Sequence, residues 1–179
     1  MGSGSSISCS IKLNSTLTPE QKALYQDPEV VQKVLNEART IVIYGLSSDP
    51  QKASYFVASY LLTAGYTIIP VNPKGGEILG QRVFTNLKEV DVPVDVVDVF
   101  RPRHEVPHIL DEALAIGAKV FWQQLRINDL ESAERARKAG MISIVDLCMK
   151  MEHGRYSGGL HEAGMNTEII NAKRTHRWL

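Results

Sequence analysis

The sequence predicts an α/β fold: a Rossmann-like parallel five-stranded sheet with helices on both faces, an N-terminal helical arm and a C-terminal extension. Three observations carry this. Five short apolar runs, residues 41–44, 66–71, 94–100, 119–122 and 141–145, alternate with helical stretches. Runs this short and rich in β-branched residues are buried strands, and strands separated by helices pair in parallel. The helical stretches end at Gly65, Gly117 and Gly140, as helix C-termini do. The first strand also leads through Gly45-Leu-Ser-Ser-Asp-Pro50 into a helix. That strand–turn–helix opening places free N–H groups where a phosphate can sit. The expected strand order is 3-2-1-4-5.

Each element has its own signal. Residues 1–18 begin in a tag-like Met1-Gly-Ser-Gly-Ser-Ser and carry one charge, Lys12, with no acid; they are set apart from the fold. Thr18-Pro19-Glu20 starts a helical arm, residues 19–39, with an N-cap hydroxyl, a proline at the first helical position and an acid in the first turn. Asp27-Pro28-Glu29 repeats the signal and predicts a break. Val30, Val31, Val34 and Leu35 have helical spacing and should pack on the domain. In residues 53–64, Phe56, Val57, Tyr60 and Leu61 read as the buried face. Residues 79–84 form a loop with room for a very short strand, and 87–90 a single helical turn. A helix follows over 105–116, and Asn128-Asp129 caps another over 130–139. The domain proper is 40–153; beyond Met151 the chain is weakly periodic, and 154–179 is an extension.

Composition excludes several classes of partner. Of 179 residues, 44% are apolar and 22% charged, ordinary for a globular domain with a real core. Twenty Lys and Arg balance twenty Asp and Glu, so no bulk field favours nucleic acid or an anionic membrane surface. No apolar run approaches the roughly 20 residues that span a bilayer. Two distant cysteines, Cys9 and Cys148, make no disulfide framework and fit a reducing, cytoplasmic setting. His153, His161 and Glu162 are too irregularly spaced to read as a metal set.

In a parallel sheet, ligands bind outside the carboxyl ends of the strands. The five exits are Gly45 to Pro50, Asn72-Pro73-Lys74-Gly-Gly, Phe100-Arg101-Pro-Arg103, Trp122-Gln123-Gln124 and Asp146-Leu-Cys148-Met-Lys150. They offer hydroxyls, amides, backbone N–H groups and four cations, without an evident acid–base couple. This inventory suits a phosphorylated, apolar-tailed cofactor better than hydrolysis. The first loop replaces two glycines of the dinucleotide fingerprint by Ser47 and Pro50, which argues against the usual pose of NAD or FAD. The second strand ends without the acid that holds an adenosine ribose. Lys74 stands there instead and would neutralise a ribose phosphate, as found in NADP and coenzyme A.

Several of these stretches together carry a resemblance. They are Gly45-Leu-Ser-Ser-Asp-Pro50 with Ser54-Tyr55-Phe-Val-Ala58, Ile69-Pro-Val-Asn-Pro73 with Leu79-Gly80, Val94-Asp-Val-Val-Asp-Val-Phe-Arg101, Ala115-Ile-Gly-Ala-Lys-Val-Phe-Trp122, and Asp146-Leu-Cys148-Met-Lys150-Met-Glu-His153. From about Thr40 to His153 the chain resembles the small CoA-binding domain proteins, which are similar to the N-terminal domain of the succinyl-CoA synthetase α subunit. The resemblance implies coenzyme A or acyl-CoA across the exits of the first three strands, and no catalytic residues.

The candidate ligand contacts are Gly45, Leu46, Ser47, Ser48, Lys52, Ser54, Tyr55, Asn72, Pro73, Lys74, Arg101, Trp122, Gln123 and Cys148. The diphosphate would lie at the helix after Pro50, the 3′-phosphoadenosine by Lys74, and the pantetheine arm toward Arg101, Trp122 and Cys148. Each has a structural alternative. Ser47 and Ser48 can satisfy a turn, Lys52 can be a solvated charge, Tyr55 and Trp122 core, and Arg101 half of an ion pair. Cys148 is either a buried structural thiol or one activated by Lys150 and able to pair with the CoA thiol. An NADP-binding oxidoreductase or NAD(P)-sensing domain is the alternative function, and a redox-regulated interaction module using Cys148 a third. Nothing fixes a protein partner; a homodimer through the arm or tail is compatible with the sequence.

Overall fold

The computed structural model describes residues 17–157, so Cys9, His161, Glu162 and most of the extension lie outside the described residues. Helices α1 (Pro19–Tyr25) and α2 (Pro28–Glu37) precede β1 (Thr40–Tyr44), α3 (Ala53–Thr63) and β2 (Thr67–Val71). A small hairpin of β3 (Glu77–Ile78) and β4 (Gln81–Arg82) follows. Then come β5 (Val96–Val99), α4 (Val106–Ala115), β6 (Val120–Gln123), α5 (Leu130–Lys138), β7 (Ile142–Val145) and α6 (Met149–Ser157). Among the described residues no helix is long and apolar enough to cross a membrane.

The arm breaks where its sequence says. Thr18 caps α1 in a reciprocal capping box with Gln21, and the Asp27 carboxylate accepts N–H groups of Glu29 and Val30 to start α2. Val31, Val34 and Leu35 are buried against the sheet, while Val30 faces out.

The five long strands form one parallel sheet in the order β2-β1-β5-β6-β7. Counting long strands alone, that is 2-1-3-4-5, which corrects the expected 3-2-1-4-5. The reason lies at residue 84. Phe84 donates its N–H to the Pro70 carbonyl (2.9 Å) and accepts from Asn72 N–H (2.9 Å), a single parallel bridge to Val71. This one-residue remnant occupies the edge outside β2, so the next full strand returns to the free side of β1.

Alternation along the strands builds two cores. Ile41, Ile43, Val96, Trp122 and Ile144 face α2, α3 and α6. Val42, Tyr44, Val97, Val99 and Phe121 face the other way, onto Val106, Ile109, Leu110 and Ala113 of α4. On α3 the buried positions are Ser54, Val57, Ala58 and Leu61, spaced i, i+3, i+4, i+7. This corrects the expected face: Phe56 is 59% exposed and Tyr60 only half-buried. Both turn toward α6, where the Lys150 ammonium lies 4.0 Å from the Phe56 ring centroid. Helix α6 itself is absent from the sequence reading, because only Met149 and Glu152 are buried and Gly154 interrupts the pattern.

The two acids of the third apolar run behave differently. Asp95, at the base of the sheet, accepts N–H groups of Arg39 (2.9 Å) and Thr40 (3.0 Å) and pairs with Lys119 (2.7 Å). Asp98, in the middle of β5, is wholly buried. Its Oδ2 accepts from Gln124 Nε2 at 2.8 Å, and its Oδ1 has no partner among the described residues. Burial pushes its carboxyl up to about 8, so at neutral pH the side chain is an uncharged acid.

The chain reverses direction across the sheet at β1, which has β2 on one side and β5 on the other. Gly45 closes β1 there with φ +92°. A Cβ on it would fall 2.9 Å from the Phe100 carbonyl oxygen and 2.7 Å from Arg101 Cδ. Both the conformation and the gap require glycine.

Two predictions follow from these positions. Gly45→Ala should lose on the order of 1–3 kcal/mol of stability in urea melts; an unchanged midpoint would show that the turn tolerates a side chain. For Asp98 the folded carboxyl titrates near 8 and the unfolded one near 3.9. The folded state thus holds a proton that the unfolded state releases. Stability from this group is full below the unfolded value and is lost as pH rises toward 8. Asp98→Asn should therefore match the parent near pH 4 and exceed it by a few kcal/mol at pH 7–8, as read by paired thermal melts. A pH-independent difference would contradict the assignment.

Candidate functional site

The loop after β1 is a succession of short turns. Leu46 is fully buried and anchors it from below. The Ser47 N–H donates to Ser54 Oγ (3.1 Å), and Ser47 Oγ accepts the Asp49 N–H (3.1 Å). Asp49 in turn accepts the N–H groups of Gln51 on its carboxylate and of Lys52 on its carbonyl. The chain enters α3 through Lys52, whose side chain makes no cap hydrogen bond. The first-turn amides of α3 thus keep the positive end of the helix dipole uncapped by a side chain.

The β2 exit is tied to this loop by Asn72. Its Nδ2 donates to the Leu46 carbonyl (2.8 Å), and its Oδ1 accepts the Lys74 N–H (3.0 Å). Asn72 therefore positions the two exits relative to each other. Between them lies a cleft of about 200 Å³ lined by Ser47, Ser48, Asn72, Lys74, Gly75, Gly76, Glu77 and Ile78. Pro73 and Lys74 are exposed. Hydroxyls, bare glycine backbone and one ammonium make a setting for oxyanions; Glu77 adds a carboxylate. Residues Gly75–Ile78 were not among the sequence candidates, although Asn-Pro-Lys-Gly-Gly carried the signal of a backbone open to a ligand.

The remaining candidates are dispersed. Lys52 is exposed, Ser54 is buried and turned back on the loop, and Tyr55 is half-buried against the core. Arg101 lays its stem along Gly45 and pairs bidentately with Glu105, Nε–Oε2 and Nη2–Oε1 both 2.8 Å. This is the ion pair weighed as its alternative role. Trp122 is 0% exposed and donates its indole N–H to the Leu147 carbonyl (2.8 Å). Gln123 belongs to β6 rather than to its exit, and its amide is spent on the Asp129 backbone (2.9 and 2.6 Å). The structure places both inside the packing, away from the cleft.

Cys148 is half-buried just before α6. Burial raises its thiol above the ordinary range, and the lowering by Lys150 is smaller. Of the two roles weighed for Cys148, this favours the buried thiol over one activated by Lys150, whose ammonium is engaged with the Phe56 and Tyr60 rings. Beyond it, Tyr60 Oη, His153 and Ser157 form a hydrogen-bonded row of 3.0 and 3.2 Å. Burial lowers the His153 pKa.

Comparison with known proteins joins this geometry to a family. A family model described as a CoA binding domain matches residues 39–154. The uncharacterized protein YneT of Bacillus subtilis is 37% identical over 123 residues, 69% of this chain and 91% of that one. The α subunit of ADP-forming acetate–CoA ligase I of Pyrococcus furiosus is 33% identical over 125 residues, 61% of this chain but 27% of that subunit. A hypothetical protein from Pyrococcus horikoshii superposes with a TM-score of 0.71 at 32% identity, over 73% of this chain and 92% of that one. The parallel sheet, the glycine turn after β1 and the match across almost all of the described domain lead to one conclusion: this chain belongs to the CoA binding domain family.

Proposed function

We propose that the protein binds coenzyme A or an acyl-CoA at the carboxyl edge of its sheet and performs no catalysis of its own, acting as a carrier, sensor or regulator. The observation that carries this reading is the cleft between the β1 and β2 exits, lined by Ser47, Ser48 and Lys74 among others, on the loop that leads into α3. The diphosphate lies against the first-turn amides of α3 and the two serines. Lys74 neutralises the 3′-phosphate of the adenosine. Lys52, exposed at the α3 N-cap, adds a second cation beside the diphosphate. The pantetheine arm runs past Gly45 and the Arg101 stem, the adjacent exits, toward Cys148.

The family match supports coenzyme A as the ligand. The acetate–CoA ligase relative joins acetate to CoA by its name, but the chain spans only 27% of that subunit, so the ligase reaction stays with the larger protein. The two missing loop glycines weigh against an NADP ligand.

Calorimetric titration of the purified protein with CoA, dephospho-CoA and NADP tests the reading. Micromolar CoA binding and a silent NADP titration are expected; binding of NADP alone would overturn it. Lys74→Ala should weaken CoA by about tenfold, the worth of one charge-assisted contact, and leave dephospho-CoA nearly unchanged. Equal losses for both would remove the 3′-phosphate from Lys74.

A further inference from the structure

Two ties fix α6 beside α3. The Trp122 indole N–H donates to the Leu147 carbonyl (2.8 Å) just before α6 begins. One turn on, Tyr60 Oη of α3 is hydrogen-bonded to His153 Nδ1 (3.0 Å), and the two rings stand edge to face. Between these ties Lys150 leaves α6 and reaches across to α3. Its ammonium lies 4.0 Å from the Phe56 ring centroid and 5.6 Å from that of Tyr60. Phe56 belongs to the first turn of α3: its N–H donates to the carbonyl of Lys52, the N-cap residue, at 3.2 Å. That is the turn whose amides face the proposed diphosphate, and Phe56 stands about 6 Å along the axis from its cap. The Phe56 ring is 59% exposed. Lys150 is half-buried and makes no ion pair among the described residues. Arg101 and Arg155, likewise half-buried, each hold a carboxylate. An ammonium resting on an exposed ring is held more weakly than one hydrogen-bonded to a phosphate oxygen. Lys150 is thus an unneutralised cation, on a long side chain with a fixed backbone, beside the end of α3 that favours anions.

We propose that Lys150 is a ligand-binding residue of the CoA site, whose ammonium leaves the Phe56 ring to pair with the diphosphate and so ties α6 to the bound ligand. The inference rests on the CoA reading of the cleft and adds to it a residue from the last described helix, remote in sequence from the β1 and β2 exits. In the free protein the ammonium rests on Phe56. With ligand present it exchanges the ring for a phosphate oxygen, and α6 is then held by the ligand as well as by α3. The 3′-phosphate is the other anion of the ligand within the same chemistry; dephospho-CoA, which keeps only the diphosphate, tells the two apart.

The test is calorimetry of the full chain and three variants with CoA and dephospho-CoA. Lys150→Met removes the charge and keeps an unbranched apolar stem for the rings, so its thermal melt should match the parent. It should weaken CoA and dephospho-CoA alike by about tenfold, the loss of one charge-assisted contact. Lys150→Arg should restore most of that affinity. Phe56→Leu frees the ammonium without removing it and should bind CoA at least as tightly as the parent. Unchanged affinity in Lys150→Met would leave Lys150 as a structural clasp between two helices. A loss confined to CoA would move the ammonium to the 3′-phosphate. Equal losses in Phe56→Leu and Lys150→Met would mean that the clasp matters and the charge does not. Each of these three outcomes overturns the proposal while the CoA reading stands. A parent that binds neither ligand sinks the ligand assignment, and this inference with it.

Discussion

The carboxyl edge of this molecule is organised by the close approach of the Gly45 backbone to Phe100 and Arg101. The turn leaves β1 with a left-handed residue, so the chain can swing at once into the short loop before α3. The Gly45 N–H still reaches the Val71 carbonyl (2.8 Å), and the Phe100 N–H the Tyr44 carbonyl (2.8 Å). The exits of β2, β1 and β5 are thereby joined in sequence by backbone hydrogen bonds. Any side chain at this point would push the β1 loop away from β5, and with it Ser47, Ser48 and the start of α3. The Arg101 stem fills the space that the missing Cβ leaves, and the Glu105 carboxylate fixes its far end.

Polar side chains then set where the pieces sit. Asn72 couples the loops after β1 and β2 through one amide that uses both its donor and its acceptor. Asp95 gathers the start of β1 and the approach to β6 at the opposite end of the sheet. Glu112 reaches from α4 to the Leu87 N–H (3.1 Å), anchoring the turn that precedes β5. Each of these buried or half-buried carboxylates has its charge met by donors, which is the condition for tolerating it. Asp98 departs from that rule. One oxygen is met by Gln124 and the other by nothing among the described residues, and the side chain answers by holding its proton. Such a group does not help the domain fold at neutral pH.

The cleft illustrates how modest the chemical equipment is. It holds no side chain of extreme reactivity; it holds backbone amides, hydroxyls and one ammonium, arranged by turns that satisfy themselves. Ser47 serves its own turn through Oγ, and Ser54 supports the loop from inside. The geometry is built before any ligand arrives, so ordering costs on binding fall mainly on Lys52 and Lys74, the exposed cations.

The amino-acid sequence by itself determined the five long strands, the helices before α6 and the edge that carries the site. Short β-branched runs bounded by glycine turns read as buried strands, Thr18-Pro19 and Asp27-Pro28 as helix starts, and a parallel sheet puts its loops for binding at the carboxyl ends. Local periodicity and capping chemistry suffice for these. Which loops meet was settled by tertiary structure. The strand order turned on one bridge at Phe84, a contact with no local signature. The buried face of α3 is set by Ser54, Val57, Ala58 and Leu61, while Phe56 and Tyr60 lie at its margin beside Lys150 of α6, a helix itself nearly featureless in pattern. Trp122 and Gln123 sit at a strand end by sequence, yet the segment before α6 and the Asp129 backbone draw their polar atoms inside. Asp98 was visible as an acid in an apolar run, but its unpartnered oxygen was not. Hydrogen-bond satisfaction between distant segments is decided by packing, and a sequence read locally carries no record of it.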